Sequence, residues 1–468
     1  MIERKFRINP YTFIRIYGNL LYLENQVSHT RAFLRMDEYG ELSRITYDSV
    51  ENVDDFCKKC KNKEQAYEIV NQMNRAWLID IYGETEAFER KFSYSKKLYI
   101  EEVIGNIPEI GEANSQGPIL RNLQIELTDA CNERCIHCYL PNSKKDGSTT
   151  LSMEDTIAIL KQYHEMGGLK VVFSGGEILL HKKLFQIIDE CKELNLMILL
   201  QTNLLVLTKE HLQKLKQCEV FNIQVSLYST DELIHDSITG RKGSFKKTKQ
   251  NIELLVENDI PVMISCPVMK ENFITVRELK EYADTLNVDI YFDYVMMAEC
   301  DGSDDNLKHR LSEEQTSQIL RFQMESNPAF IRAIKESNTL NEALSKKYAR
   351  RKTMCSIMSA SLCIDSDGTI YPCPGWNGMK LGNIQDNSIL DVWHGKTADE
   401  LRNINDNDYS LCKDCSLQNF CDMCAVYNYN ENGSLFNVCS RFCENAQTLK
   451  KIVTDLYFQY SVNSYVID

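Results

Sequence analysis

From about residue 118 to residue 298, short runs of apolar and β-branched residues alternate with longer stretches in which apolar positions recur every three or four residues. The short runs predict strands and the longer stretches predict helices, because the two structures repeat their side-chain directions with different periods. The predicted strands are Leu123–Leu127, Lys170–Phe173, Met197–Gln201, Phe221–Leu227, Val262–Val268 and Asp289–Tyr294. The predicted helices between them are Met153–Met166, Lys183–Leu194, Phe245–Glu257 and Val276–Leu286. This alternation is typical of a parallel α/β sheet, and six such units predict an incomplete (β/α)6 barrel.

The remainder of the chain divides into further segments. Residues 1–105 combine the predicted strands Phe13–Ile16 and Leu20–Leu23 with a predicted helix at Gln65–Met73 and the apolar run Ala76–Ile81, which indicates a small strand-and-helix module. Asn106–Gly117 contains a proline and two glycines among polar residues and predicts a linker. We expect the later boundaries to be a barrel over 118–310 that ends in an acidic loop at 300–305, a helical linker over 311–352, a cysteine-rich domain over 353–446, and a C-terminal helix and tail over 447–468.

The charge of the chain excludes two classes of partner. Its 468 residues carry a net charge of −14, and the pI is about 5.2. Such a protein repels nucleic acid and anionic lipid, so we expect neither as a partner. Arg15, Asn19 and Glu24 interrupt the apolar residues near the N-terminus. The sequence therefore predicts no signal peptide or membrane span in this segment, and a cytoplasmic location.

Eighteen cysteines lie mainly in two groups, three within residues 131–138 and nine between Cys355 and Cys443. In a large chain without secretory features, such grouping indicates metal or cluster ligation rather than disulfides. The other cysteines are isolated or form a lone pair in a charged stretch, and we expect them to be unliganded. They are Cys57, Cys60, Cys191, Cys218, Cys266 and Cys300.

The first group, Cys131, Cys135 and Cys138, follows the first predicted barrel strand. It therefore falls at the carboxyl end of the strands, where the active sites of barrels lie. Three thiolates on one loop can bind three irons of a cubane cluster and leave the fourth iron open to a substrate. A zinc site is the alternative, but zinc motifs normally pair two C-x2-C units, and this segment has C-x3-C-x2-C spacing.

This spacing, followed by the aromatic Tyr139, resembles the signature of the radical S-adenosylmethionine (SAM) superfamily. The resemblance implies a catalytic [4Fe-4S] cluster on the three cysteines, which binds SAM and cleaves it to a carbon radical. The segment Ser174–Glu177 resembles the family's glycine-glycine-glutamate element, which implies that Gly175, Gly176 and Glu177 receive the SAM amino group. Ile178 stands where the family usually has proline.

The resemblance extends to three later residues. Asn203 follows the third predicted strand, Ser226 lies near the end of the fourth, and Arg241 precedes the next helix. The family's equivalents near the fourth strand and of this arginine contact the ribose and the carboxylate of SAM, and a guanidinium suits a carboxylate. Turn formation and helix capping are the alternative roles of Asn203 and Ser226, and a solvated surface charge is the alternative for Arg241.

The second group resembles the SPASM extension of radical SAM peptide-modifying enzymes, because Cys355-x12-Gly368-x4-Cys373 is followed by a C-x2-C-x5-C-x2-C motif. The last gap departs from the family's usual x3. The resemblance implies two auxiliary [4Fe-4S] clusters, an outer one on Cys412, Cys415, Cys421 and Cys439 and an inner one on Cys355, Cys373 and Cys424. Either Cys363 completes the inner cluster or one of its irons stays open to a substrate thiolate, and Cys443 competes for the outer cluster. A pair of structural zinc knuckles is the alternative.

The order of module, barrel and SPASM domain resembles that of maturases of ribosomally made peptides. The resemblance implies a winged-helix-like module that binds the leader of a precursor peptide by strand addition, and an electron donor such as flavodoxin or ferredoxin. Ile178 and a partly open inner cluster favour thioether formation from cysteine. The alternatives are carbon–carbon crosslinking or oxidation of a protein side chain, and a non-catalytic iron–sulfur or zinc protein that binds peptide.

Overall fold

The computed structural model describes residues 4–45, 49–82, 92–94, 103–104, 118–140, 146–218, 220, 222–346, 348 and 357–463. Within these residues, the N-terminal module contains short strands and three helices. The strands are β1 (Lys5–Ile8), β2 (Thr12–Tyr17), β3 (Leu20–Asn25), β4 (Arg31–Arg35), β5 (Glu51–Asn52), β6 (Ile79–Tyr82) and β7 (Val103–Ile104). The helices are α1 (Met36–Tyr39), α2 (Val53–Lys59) and α3 (Lys63–Arg75), with a 3-10 turn at Gly40–Arg44. The two predicted strands and the predicted helix of this module are confirmed.

The module has two small sheets around one core. One has the strand order β5-β1-β6 and the other has the order β2-β3-β4-β7, in which β7 runs parallel to β4. Helix α3 begins after Asn62, whose side chain accepts a hydrogen bond from Gln65 N, and its apolar positions Ala66, Val70 and Met73 are buried against the sheets. The predicted linker 106–117 lies outside the described residues.

Six parallel strands form the barrel sheet. They are β8 (Asn122–Thr128), β9 (Lys170–Gly175), β10 (Met197–Thr202), β11 (Asn222–Ser226), β12 (Val262–Pro267) and β13 (Asp289–Asp293). Helices follow them: α4 (Met153–Glu165), α5 (Leu184–Glu193), α6 (Lys209–Cys218), α7 (Glu232–Thr239), α8 (Ser244–Glu257) and α9 (Val276–Thr285), with 3-10 turns at Ile178–Leu180 and Phe273–Thr275. Neighbouring strands pair in sequence order, so the incomplete barrel is confirmed. Sequence analysis did not predict α6 and α7.

The cysteine-rich domain extends the barrel sheet. Strand β14 (Ser361–Ile364) pairs in parallel with β8, and β15 (Thr369–Tyr371) and β16 (Gly382–Asn383) follow in antiparallel order.

The remaining helices are α10 (Glu313–Glu325), α11 (Pro328–Lys335), α12 (Leu340–Ser345), α13 (Ile389–Trp393), α14 (Lys396–Asn403), α15 (Ala425–Asn432) and α16 (Ser440–Asn463), with 3-10 turns at Asp305–His309, Asp406–Asp408 and Gln418–Phe420. The C-terminal helix therefore begins before the predicted boundary at 447 and includes Cys443.

The N-terminal module packs against the amino ends of the barrel strands, opposite the cysteine loop. Arg15 is buried there, and its guanidinium donates hydrogen bonds to Gly168 O at 2.6 Å and to Asn195 O at 2.5 Å. The module and the barrel also share an apolar cluster that includes Leu169 and Met197 of the barrel. Among the described residues, no helix is long and apolar enough to cross a membrane.

Candidate functional site

The cysteine loop leaves the carboxyl end of β8 and carries three free, partly exposed thiols, Cys131, Cys135 and Cys138. Burial, together with the charges of Glu177, Glu133 and Cys138, raises the pKa of Cys131 to about 11. Burial also raises the pKa of Cys135 well above its ordinary value, with contributions from both other cysteines. The three thiols are therefore close enough to influence one another's charge.

Helix α7 and the turn that follows it hold the far side of the cysteine loop. Arg134 N donates to Thr239 O at 2.9 Å, and Ile136 N donates to Ile238 O at 3.0 Å. Arg241 Nη1 donates to Asn132 O at 2.7 Å. The Arg241 turn is itself fixed by Asp236, whose carboxylate accepts hydrogen bonds from the backbone after the turn. Arg241 thus lies at the predicted site and supports the cysteine loop directly.

The glycine pair after β9 holds the near side of the loop. Gly176 N donates to Thr128 O, and Glu177 N donates to Ala130 O, both at 2.7 Å. Gly175 has φ +120°, and a Cβ on it would lie 2.4 Å from Thr128 O. A Cβ on Gly176 would lie 2.1 Å from Ala130 O. Glycine is required at both positions because the backbone of the cysteine loop occupies the space of a side chain, a role that sequence analysis did not predict.

Glu177 is fully buried and joins the ends of two strands. Its carboxylate accepts hydrogen bonds from Thr202 Oγ1 at 2.6 Å, Asn203 N at 2.8 Å and Leu179 N at 2.9 Å. Burial raises its pKa, and these three donors oppose the shift. The carboxylate therefore already has three protein donors, and a contact with the SAM amino group stays a prediction.

The other predicted cofactor-binding residues surround the same loop. Asn203 donates from Nδ2 to Asn132 Oδ1 at 2.7 Å, and its own Oδ1 accepts from Leu205 N at 3.0 Å, so the alternative turn-forming role is also present. Ser226 ends β11, two residues before Tyr228. The Tyr139 hydroxyl donates to Glu126 Oε1 at 3.0 Å.

Three residues in this site were not identified from the sequence: Asn132, Glu133 and Tyr228. Glu133 lies inside the cysteine motif and is only 4% exposed, and burial raises its pKa to about 7. Its Oε2 lies 3.6 Å from Cys135 Sγ, and the Tyr228 hydroxyl lies 3.7 Å from the same sulfur. A charged residue between the cysteines was visible in the sequence, but only the fold buries it.

The site fits a cluster held by three thiolates together with a polar ligand. Three unbridged thiols converge on one loop at the carboxyl end of a parallel sheet. Beside them, Asn132 Nδ2 and Glu133 Oε1 are buried and lack a hydrogen-bond partner in the part of the chain that the structure describes. Buried polar atoms are normally paired, so this donor and this acceptor indicate a polar ligand. In the same described residues, no three His, Cys, Asp or Glu side chains form a group suited to a single metal ion.

The cysteines of the C-terminal domain form two neighbourhoods. Cys363 lies on β14, and Cys373 follows β15, the antiparallel neighbour of β14 in one hairpin. Burial is the main cause of the raised pKa of Cys363, and the charge of Cys373 contributes to it. Cys412, Cys421 and Cys439 share one buried cluster, with Cys424 packed against it. Cys415 and Cys443 are partly exposed. Cys355 lies outside the described residues.

Comparisons with known proteins agree with both cysteine groups. The family model described as Radical SAM superfamily matches residues 125–283, and the one described as an iron–sulfur cluster-binding domain, SPASM, matches 355–416. An AdoMet-dependent heme synthase of Methanosarcina barkeri is 24% identical over 66% of this chain and 92% of its own length. The antilisterial bacteriocin subtilosin biosynthesis protein AlbA of Bacillus subtilis is 26% identical over 70% of this chain and 72% of its own. The crystal structure of Streptococcus suis SuiB bound to precursor peptide SuiA has a TM-score of 0.60 at 17% identity and covers 92% of this chain and 98% of SuiB.

The substitution Gly176→Ala tests the support of the cysteine loop. The added Cβ would meet only backbone atoms of Asp129 and Ala130, so the loop must move. We expect the variant to lose about four irons, the content of one cubane, and to lose SAM cleavage. Gly40→Ala is the control, because its nearest neighbour would be a side-chain carbon of Met36 at 3.5 Å. Iron content equal to that of the parent protein in Gly176→Ala would contradict this role.

Proposed function

We propose that this chain, a radical SAM enzyme with a C-terminal SPASM domain, modifies a ribosomally synthesised precursor peptide and forms thioether crosslinks from its cysteines. The observation that carries the proposal is the attachment of the SPASM hairpin to the barrel sheet: β14 pairs with β8, the strand that leads into the cysteine loop. This attachment brings a second group of cysteines next to the radical site. The relatives AlbA, named for subtilosin biosynthesis, and SuiB, solved with a precursor peptide, support a peptide substrate.

The chain's own residues hold the cofactors in this proposal. Cys131, Cys135 and Cys138 hold the SAM-binding cluster, and Arg241 offers its remaining donors to the SAM carboxylate while it supports the loop at Asn132. Gly175, Gly176, Glu177, Asn203 and Ser226 shape the SAM pocket, together with Tyr139, which hydrogen-bonds to Glu126 of β8. When bound at these residues, the cluster and SAM would supply a carbon radical able to remove a hydrogen atom from the peptide, and an auxiliary cluster would supply an acceptor for the remaining electron.

A thioether forms one C–S bond and consumes one C–H bond and one S–H bond. The peptide therefore loses two hydrogen atoms per crosslink. One leaves in 5′-deoxyadenosine, and the other leaves as a thiol proton and an electron. A low-potential donor such as flavodoxin or ferredoxin supplies the electron that starts each turnover. We place this reaction in the cytoplasm, where thiols and clusters stay reduced.

We propose two auxiliary clusters. The hairpin geometry favours a fourth protein ligand on the inner one. Cys363 pairs in register with Tyr371, and Cys373 lies two residues beyond that pair, in the bend that ends β15, where its charge acts on Cys363. We propose that Cys363 joins Cys355, Cys373 and Cys424 as the fourth ligand of the inner cluster. Cys412, Cys415, Cys421 and Cys439 hold the outer one, with Cys443 as the competing ligand. In this arrangement, the substrate sulfur is not bound to the inner cluster, so Ile178 is the remaining sequence feature that favours a thioether.

We propose that residues 1–105 bind the leader of the precursor by strand addition. Strand β2 is covered by its contact with the barrel, and the other edge strand of its sheet, β7, has only two described residues. The sheet β5-β1-β6 therefore offers the edges for a leader strand. Apolar residues of the module pack against Leu169 and Met197 of the barrel, so removal of the module would expose part of the barrel. Leader affinity is best measured on the full chain.

A tetrapyrrole substrate is the competing candidate, because two relatives are named heme synthases. The match to the heme synthase of Methanosarcina barkeri leaves about a third of this chain uncovered. The structural likeness to SuiB covers 92% of this chain. Carbon–carbon crosslinking and side-chain oxidation are alternatives with the same radical. All of these differ from thioether formation in their use of a substrate thiol.

The proposed reaction is tested with the reconstituted enzyme, SAM, a reductant and a cysteine-containing precursor peptide encoded beside the gene. We expect the peptide to lose two hydrogen atoms and one alkylatable thiol per crosslink, with one 5′-deoxyadenosine formed for each. The measurement is mass spectrometry after thiol alkylation. Loss of two hydrogens with every thiol still alkylatable would replace the thioether by a carbon–carbon bond or an oxidation. Conversion of a tetrapyrrole but not of the peptide would overturn the peptide substrate.

Replacement of Cys363 by serine tests closure of the inner cluster. We expect the variant to lose about four irons, the content of one cubane, and its crosslinked product, because the inner cluster would then lack one of its four proposed thiolate ligands at a buried site. Cys191→Ser is the control, since Cys191 is a buried cysteine of α5 in the barrel. Iron content and product equal to those of the parent protein would show instead that the inner cluster keeps an iron open to the substrate.

A further inference from the structure

Tyr228 lies just beyond β11, beneath the cysteine loop, and is only 4% exposed. Its ring is fixed between two histidines, with ring centroids 4.8 Å from His137 and 5.3 Å from His235. Its backbone is fixed as well, because Tyr228 N donates to His235 Nδ1 at 3.2 Å and Tyr228 O accepts from Asn272 Nδ2 at 2.9 Å. The phenol therefore has one well-defined position.

The phenol hydroxyl lies 3.7 Å from Cys135 Sγ. With a thiol at Cys135, either group can donate the hydrogen bond. A cysteine that binds iron is a thiolate and has no proton to donate. The contact then has one donor, the Tyr228 hydroxyl, and its acceptor is a sulfur ligand of the cluster.

A carboxyl group also faces this sulfur. Glu133 Oε2 lies 3.6 Å from Cys135 Sγ, and the charge of Glu177 also acts on the cysteine loop at Cys131. Negative charge near an iron–sulfur cluster disfavours the added electron, whereas hydrogen bonds to its sulfurs favour it. Among the described residues, the Tyr228 hydroxyl is the neighbour of this sulfur that can donate a hydrogen bond without first taking up a proton.

We propose that Tyr228 donates a hydrogen bond to the sulfur of Cys135 and thereby raises the reduction potential of the cluster that this cysteine holds. Tyr228 is a positioning residue that acts through Cys135. Its hydroxyl offsets the carboxylates beside the cluster, so a biological donor can reduce it. The inference rests on the assignment of Cys135 as a cluster ligand and not on the peptide substrate.

The test is an EPR-monitored redox titration of the reconstituted full chain without peptide, using the cluster signal that changes when SAM is added. We expect the midpoint of that signal to move to lower potential in Tyr228→Phe, with iron content unchanged. Tyr163→Phe is the matched control, because Tyr163 is equally buried and its hydroxyl donates to Arg121 O and Lys170 O at the opposite end of the strands. A Tyr228→Phe midpoint equal to that of the parent protein would overturn the proposal.

A second variant keeps the test decisive if Tyr228→Phe loses iron. A fluorinated tyrosine at position 228 retains the ring and is a stronger hydrogen-bond donor. We expect it to move the midpoint to higher potential, opposite to the change in Tyr228→Phe. An unchanged midpoint in this variant would overturn the proposal, and it would leave the peptide-modifying function untouched because no peptide enters the measurement.

Discussion

Two backbone hydrogen bonds, from Gly176 N to Thr128 O and from Glu177 N to Ala130 O, hold the cysteine loop against the turn that follows β9. They form because Gly175 and Gly176 have no side chain where the backbone of the cysteine loop approaches them. The loop contains little regular structure, so without such contacts its three thiols would not keep a common orientation. On its other side, the loop is fixed by α7 and by Arg241. The same contacts bring Glu177 into its buried position.

The parallel sheet brings further residues to the cysteine loop that these contacts hold in place. The carboxyl ends of neighbouring strands meet at one edge, so the residues that follow β8, β9, β10 and β11 converge although they are far apart in sequence. Strand β14 extends the same sheet on the other side of β8 and brings the cysteine-rich domain to this edge. The cysteine loop and the cysteine-rich domain are thus attached to the same sheet.

Sequence patterns predicted the barrel because buried parallel strands and amphipathic helices have strong periodic signals. Helix α7 is short, and α6 is mostly polar, so their periodic signals were weaker. The cysteine motifs were predicted because their spacing is local. The parallel pairing of β14 with β8 joins residues more than two hundred positions apart, and no local pattern encodes it. Tyr228 and Glu133 were missed for a related reason: their place beside Cys135 depends on the tertiary packing of the loop.

The central claim is that Cys131, Cys135 and Cys138 hold the cluster that cleaves SAM. Its most direct test is 5′-deoxyadenosine formation from SAM and a reductant by a variant in which all three cysteines are alanine. The account predicts no 5′-deoxyadenosine, while the iron bound by the C-terminal cysteines largely remains. Formation of 5′-deoxyadenosine at the rate of the parent protein would contradict the account.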